Sequence, residues 1–334
     1  MSRDVYQLEL IMIYLRRNIT LLVLLYLPPV FANTIPPLVE TKWLASQLNN
    51  VVVLDIRTDN KSFHSKPTYY KNKKTGKQML SRVGGHIPGA RLVLYKFVRG
   101  DRLIAGKVVK HMITPSDKFE ALMQQAGINK DSHIVITTNA EESFDLTMAS
   151  RMYWQVKYYG HDNVSLLNGG TAQWLIENHE ISTSLEKHSV GNWIAQQERE
   201  DLFADSEDVH TASSDDATQL VDVRPLGQYL GTYKSGKANT KGHIPSAKVF
   251  PIDLVSSRSM PVKFSPINEL RQLANALGIN DQQALITYCN SGHMASGGWF
   301  VFHEILGNNQ VKLYDGSMHQ WTLENRPVIS MKIE

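Results

Sequence analysis

The chain has 334 residues, is 42% hydrophobic and 20% charged, and carries a net charge of +3. That length allows two ordinary domains and that composition is globular, while so small a net charge, with no basic–aromatic helical run, gives no ground for a nucleic-acid partner. A single cysteine, Cys289, excludes a disulfide framework and a CxxC metal site, and 12 histidines without an HExxH pattern lend a zinc centre no support.

The chain opens with Arg16-Arg17, an apolar run over 19–27, Pro28-Pro29 and Val30-Phe31-Ala32. A positive segment, a short apolar core and a small-x-small site predict a secretory signal peptide over residues 1–32, cleaved after Ala32, with Met12 as an alternative start. The apolar run is too short to span a bilayer comfortably. The mature protein is therefore expected in the periplasm with no stable membrane insertion, and the alternative is a membrane anchor carrying an exported domain. The twin arginine lacks the rest of a Tat pattern, which favours the general secretory route.

Beyond residue 32 strands and helices alternate, which predicts an α/β chain with mainly parallel sheets and helices on both faces. Residues 51–57 read as a strand, and 61–77, rich in lysine, as a solvated loop. Residues 115–126 read as a helix stopped by Gly127, 131–137 as a strand, 146–159 as a helix stopped by Gly160, and 164–167 as a strand leading into a helix with Trp174. The series then recurs. Residues 219–224 match 52–57, Gly242-His243-Ile244-Pro245 matches Gly85-His86-Ile87-Pro88, and 267–277 is the counterpart helix. Residues 285–290 match 134–139, and 313–317 with Trp321 match 167–171 with Trp174. Five matches in one order mean two copies of one domain. The expected domains are 33–182 and 191–334, joined by a polar linker over 183–190. His86 and His243 occupy equivalent places in both copies and read as structural, as do Asp55 and Asp222.

The chemistry concentrates in Tyr288-Cys289-Asn290-Ser291-Gly292-His293-Met294. An apolar strand precedes this stretch and a helical pattern over 295–306 follows it, so Cys289 sits where unpaired N–H groups and the positive end of a helix favour a thiolate. A thiolate is a nucleophile. The equivalent position in the first copy is Thr138, so only the second copy is expected to be catalytic.

The tandem repeat with Asp-x-Arg, Gly-His-Ile-Pro-(Gly/Ser)-Ala, Cys-x-x-Gly and Tyr-Asp-Gly-Ser-x-x-x-Trp resembles the two-domain rhodaneses, the thiosulfate and 3-mercaptopyruvate sulfurtransferases. The resemblance implies a sulfurtransferase without metal or organic cofactor. In it Cys289 takes a sulfane sulfur from a small anionic donor, holds it as a persulfide inside the loop of Asn290, Gly292, His293 and Met294, and passes it to a thiol or cyanide acceptor. Thiosulfate types resemble Cys-Arg-Lys-Gly, whereas this loop is neutral and has Ser291, as the mercaptopyruvate type does. The segment at Lys110-His111-Met112 resembles the one whose histidine joins a Ser-His-Asp set, which makes His111 a proton-transfer partner for Ser291, with Asp101 the only acid in its region. Gln228 stands where the family has a guanidinium and Lys237 where the mercaptopyruvate type has a second arginine. Together with Arg224 at a strand end they are the expected anion path, a weaker clamp than either family type. The resemblance assigns His293 no role. The active site is expected between the domains, with His111 reaching it from the first.

Two other readings carry less weight. A rhodanese-like phosphatase needs Cys-x5-Arg, and the residue six beyond Cys289 is Ala295. A non-enzymatic binding module, or a carrier that hands persulfide sulfur to a partner protein, remains the alternative.

Overall fold

The computed structural model describes residues 36–331, so the expected signal peptide lies outside the described residues. From Pro37 onward the chain forms one compact unit. Its first half contributes β1 (Leu38–Val39), β2 (Val52–Arg57), β3 (Thr68–Lys71), β4 (Gln78–Arg82), β5 (Arg91–Leu94), β6 (Arg99–Ile104), β7 (Lys107–Ile113), β8 (Ile134–Thr137) and β9 (Val164–Leu167). The second contributes β10 (Phe203–Ala204), β11 (Thr218–Asp222), β12 (Lys248–Val249), β13 (Ala284–Tyr288) and β14 (Val311–Tyr314). Two five-stranded sheets result, in the orders β1-β9-β8-β2-β5 and β10-β14-β13-β11-β12, and all their pairs are parallel. The two orders are the same plan twice, as the repeat requires. Parallel pairing demands crossovers that cover both faces, so central strands such as β8 are buried at every residue.

The helices that matter for the site are α1 (Ser143–Tyr158), α2 (Leu226–Leu230), α3 (His293–Trp299) and α4 (Ser317–Leu323). The first of these starts three residues earlier than its apolar pattern suggests. Glu142 and Asp145 form a reciprocal capping box that fixes its true beginning. Its residues from Asp145 to Val156 are buried all round, because it lies between the halves and packs against α3. One apolar core accordingly runs through both halves, from Ile56 and Trp154 to Trp299 and Phe300. The helical pattern over 295–306 is in fact α3 followed by a π-helix over Phe300–Ile305.

Two antiparallel hairpins occur in the first half. The lysine-rich stretch expected as a loop is exposed, but β3 and β4 pair within it. The second hairpin, β6–β7, turns through Ala105 and Gly106, both at positive φ, and reaches the second half, where the Lys107 ammonium donates to the Leu323 carbonyl at 2.5 Å. Among the described residues no helix is long and apolar enough to cross a membrane.

Candidate active site

Cys289 follows the last residue of β13, is 2% exposed, and is the first residue of a loop that ends at Gly292, the left-handed N-cap of α3 at φ 72°. The Ser291 N–H lies 3.5 Å from Cys289 Sγ. Ser317, the first residue of α4, braces the loop from below. Its Oγ accepts from the Cys289 and Gly292 N–H groups, each at 3.1 Å, and donates to the Tyr314 carbonyl at 2.8 Å. A hydroxyl has one proton, so Ser317 holds the loop and does not donate to the sulfur 4.0 Å away. Ser317 has φ 49°, and Gly170 in the first half has φ 50°. The helices also hang on the loops in the same way, with Met318 N–H on Cys289 O and Thr171 N–H on Thr138 O. The repeat therefore aligns Ser317 with Gly170, one residue from the register read in the sequence. A left-handed serine is strained, and the three bonds of its hydroxyl offset that strain.

Ser291 is 2% exposed, and its Oγ accepts from Arg99 Nη2 at 3.0 Å and from Lys237 Nζ at 3.1 Å. Arg99 comes from β6 and also donates to the Ser291 and His111 carbonyls. The expected weak anion clamp is thus completed by a guanidinium from the other half. Lys237 is half-buried, and its ammonium is held below its usual range by burial first and by Arg99 second, with Cys289 opposing. His111 is exposed at φ 64°, with its N–H on Asp101 Oδ1 at 3.1 Å. Its side chain approaches the site, since Arg99, Lys237, Asp101 and His319 all act on it electrostatically, and burial and the two cations lower its pKa. What bonds to Ser291 Oγ is the Arg99–Lys237 pair, and His111 is tied to that pair through its backbone carbonyl, which accepts from Arg99 at 2.9 Å.

Gln228, on α2, accepts from Asn290 Nδ2 at 2.8 Å and so fixes the side chain of the residue after the cysteine. Arg224 departs from its expected place. Its guanidinium is 1% exposed and is closed onto Asp222 at 2.5 Å and the Gly242 carbonyl at 2.8 Å. Arg57 does the same with Asp55 and Gly85 in the half without a cysteine, so this bracket holds a strand end and lends Cys289 only its charge. His86 and His243 sit as read, stacked on Phe63 and Tyr229 with Nδ1 on those residues' carbonyls.

His293 points into the other half. Its ring is clamped between the Tyr95 hydroxyl and Thr147 Oγ1 and lies against Phe144, and burial holds it neutral, well below the usual range. Met294 is half-buried and packs against the shared core. Beneath the loop, Arg151 of α1 donates to Asp315 Oδ1 at 2.5 Å and to the Gly292 carbonyl at 3.3 Å, and Asp315 Oδ2 accepts from the Ile113 N–H at 2.6 Å. Sequence reasoning gave no role to Arg99, Arg151 or Asp315. Only Asp315 had a signal, its place in the Tyr-Asp-Gly-Ser motif. Among the described residues no three His, Cys, Asp or Glu side chains gather as a metal site.

Comparison with known proteins places this geometry. A rhodanese-like domain model matches residues 40–177 and again 205–324. A protein of Haloferax volcanii named "Putative thiosulfate sulfurtransferase" is 33% identical over 220 residues, covering 64% of this chain and 74% of that protein. A sulfur carrier protein of Thermus thermophilus is 31% identical over 246 residues, covering 71% and 82%. Among solved structures, a 3-mercaptopyruvate sulfotransferase of Escherichia coli shares the fold with a TM-score of 0.68 at 21% identity, covering 85% of this chain and 99% of its own. An ergothioneine biosynthesis enzyme of Chlorobium limicola does so with a TM-score of 0.70 at 19% identity, covering 89% and 71%.

Proposed function

The chain belongs to the rhodanese family, as a tandem of two rhodanese-like domains related to sulfurtransferases, and from that premise we propose that it moves a sulfane sulfur from thiosulfate or 3-mercaptopyruvate through a Cys289 persulfide to a thiol or cyanide. The observation that carries this reading is the pair of cations, Arg99 and Lys237, on the hydroxyl of Ser291, whose own N–H faces the Cys289 sulfur. An anionic donor drawn to the pair meets the nucleophile.

With thiosulfate, the thiolate attacks the outer sulfur. A Cys289 Sγ–S bond forms, the donor's S–S bond breaks, and its electron pair leaves on sulfite. With 3-mercaptopyruvate the C–S bond breaks, the pair goes to carbon, and the donor's thiol proton is delivered there to give pyruvate. That delivery is the role open to His111, a neutral imidazole on the site's rim. The Ser291 N–H and the surrounding cations stabilise the anionic persulfide. The inactive half covers the site and supplies Arg99 and His111.

Intact mass after exposure to each donor tests the reading: the protein should gain about 32 Da, one sulfur on the thiolate, and Cys289→Ser should gain nothing. A gain that survives Cys289→Ser overturns the mechanism. The proposed compartment is the periplasm, and N-terminal sequencing of the mature protein should begin at Asn33. Full-length protein recovered from the cytosol would refute export.

A further inference from the structure

His319 belongs to none of the roles above. It lies on α4, and its N–H donates to the Asn290 carbonyl at 2.9 Å, directly after the Met318 N–H that donates to the Cys289 carbonyl. Its ring Nδ1 is 2.9 Å from the carbonyl oxygen of Lys237, the residue whose ammonium holds Ser291. A carbonyl oxygen only accepts, so Nδ1 carries the proton and the neutral ring keeps its lone pair on Nε2. That Nε2 is closed to solvent and has no protein partner. A buried acceptor left unpaired costs stability and calls for an explanation.

We propose that His319 Nε2 is the base that takes the proton of an acceptor thiol in the second half of the reaction. This inference rests on the persulfide reading. Cys289 and Ser291 are themselves 2% exposed, and the residue between them hangs from the His319 N–H, so Nε2 belongs to the residue that braces the buried loop. The charged and titratable groups facing this mouth are Arg99, Lys237, His111 and Asp101. The two cations suit an anion and cannot accept a proton. Asp101 Oδ1 is engaged by the His111 N–H. His111 is exposed and has its role in the donor's half of the reaction, whereas His319 is the ring whose own N–H holds the loop at Asn290 and whose lone pair is buried and unpaired.

The step balances. The thiol proton passes to Nε2, and the resulting thiolate attacks the outer sulfur of the Cys289 persulfide. A new S–S bond forms, the Sγ–S bond breaks, and its electron pair returns to Sγ. The new persulfide then recovers the proton from His319. Cyanide ion as acceptor brings no proton and needs no such base.

The experiment loads the full-length mature protein with sulfur, confirms the persulfide by mass, and follows its decay with dithiothreitol or with cyanide. General-base removal typically costs 10²–10⁴-fold, so His319→Asn should slow transfer to the thiol by at least about a hundredfold in kcat and leave transfer to cyanide within about twofold. Added imidazole should restore part of the rate lost in His319→Asn. His319→Gln provides a second variant should Asn fold poorly. Equal slowing with both acceptors, or no imidazole rescue in either variant, overturns the proposal while persulfide formation itself stands. Failure to form the persulfide in wild type would instead overturn the parent reading.

Discussion

The clamp on His293 makes a quantitative prediction about acid stability. The ring is buried between Tyr95 and Thr147, beside Phe144, and feels the positive charges of Arg99, Arg151 and Lys237, so it stays neutral far below the ordinary value of 6.5. An unfolded chain lets the same imidazole titrate normally. The unfolded state therefore binds the extra proton, and the stability that His293 contributes is complete above 6.5 and is lost as pH falls below it. With a folded ring that stays neutral throughout, the loss between pH 7 and pH 5 is about 2 kcal/mol, with a limiting slope of about 1.4 kcal/mol per pH unit. The other histidines lowered by burial, His86, His111, His133 and His161, add to the wild-type slope but cancel against a variant. His293→Asn is the perturbation. Denaturant unfolding at both pH values, with unchanged m values, is the assay. The stability gap between wild type and variant should narrow by about 2 kcal/mol on acidification. Parallel pH profiles would refute the assignment of a neutral clamp.

Three further outcomes follow from the site. Gly292→Ala puts a Cβ 2.1 Å from Asp315 Oδ1 and 2.7 Å from Arg151 Nη1 at a φ of 72°, so it should cost at least about 2 kcal/mol in denaturant unfolding and remove sulfur transfer. Lys237→Met and Arg99→Met should each lower kcat/KM for an anionic donor about tenfold or more, and the double variant should fall short of the product, because both cations bond one oxygen. Additive losses would mean that the two act separately. His111→Ala should reduce turnover with 3-mercaptopyruvate more than with thiosulfate, whose sulfane transfer moves no proton. Equal losses would remove His111 from the chemistry.

What could be read in the sequence follows what local physics dictates. Runs of β-branched residues such as Val52–Arg57 declare buried parallel strands, and glycines such as Gly127 and Gly160 mark helix ends because they adopt positive φ at no steric cost. The repeat exposed the position of Cys289 and the silence of Thr138. Arg99 could not be read, because it becomes a site residue only when the β6–β7 hairpin crosses to the other half. Arg224 was misplaced for a related reason. A charged residue at a strand end looks available until its buried partners, Asp222 and Gly242, are known. The one-residue slip at Ser317 arose because a glycine and a serine share one backbone conformation, which identity matching does not see.

The two halves cover each other's loops, and the contrast between the covers underlies the proposal that only one loop reacts. Over Thr138 the cover is the apolar segment with Val262 and Phe264, whose N–H groups bond to Ala140 O and Asn168 Oδ1. Over Cys289 the cover is the β6–β7 hairpin, which brings Arg99 onto Ser291 and His111 to the rim. Two sheets of the same strand order thus present two buried loops, Thr138 at 3% and Cys289 at 2% exposed, one under an apolar cover and one under a cationic cover. It follows that a thiol alone does not make a site. In the double variant Thr138→Cys with Cys289→Ser, the new sulfur would stand at the same point of the same fold, with no cation pair above it. It should fold and gain no sulfur from thiosulfate or 3-mercaptopyruvate by intact mass. A persulfide appearing on residue 138 would show that the strand–loop–helix turn suffices, and the argument that the covers decide reactivity would fail.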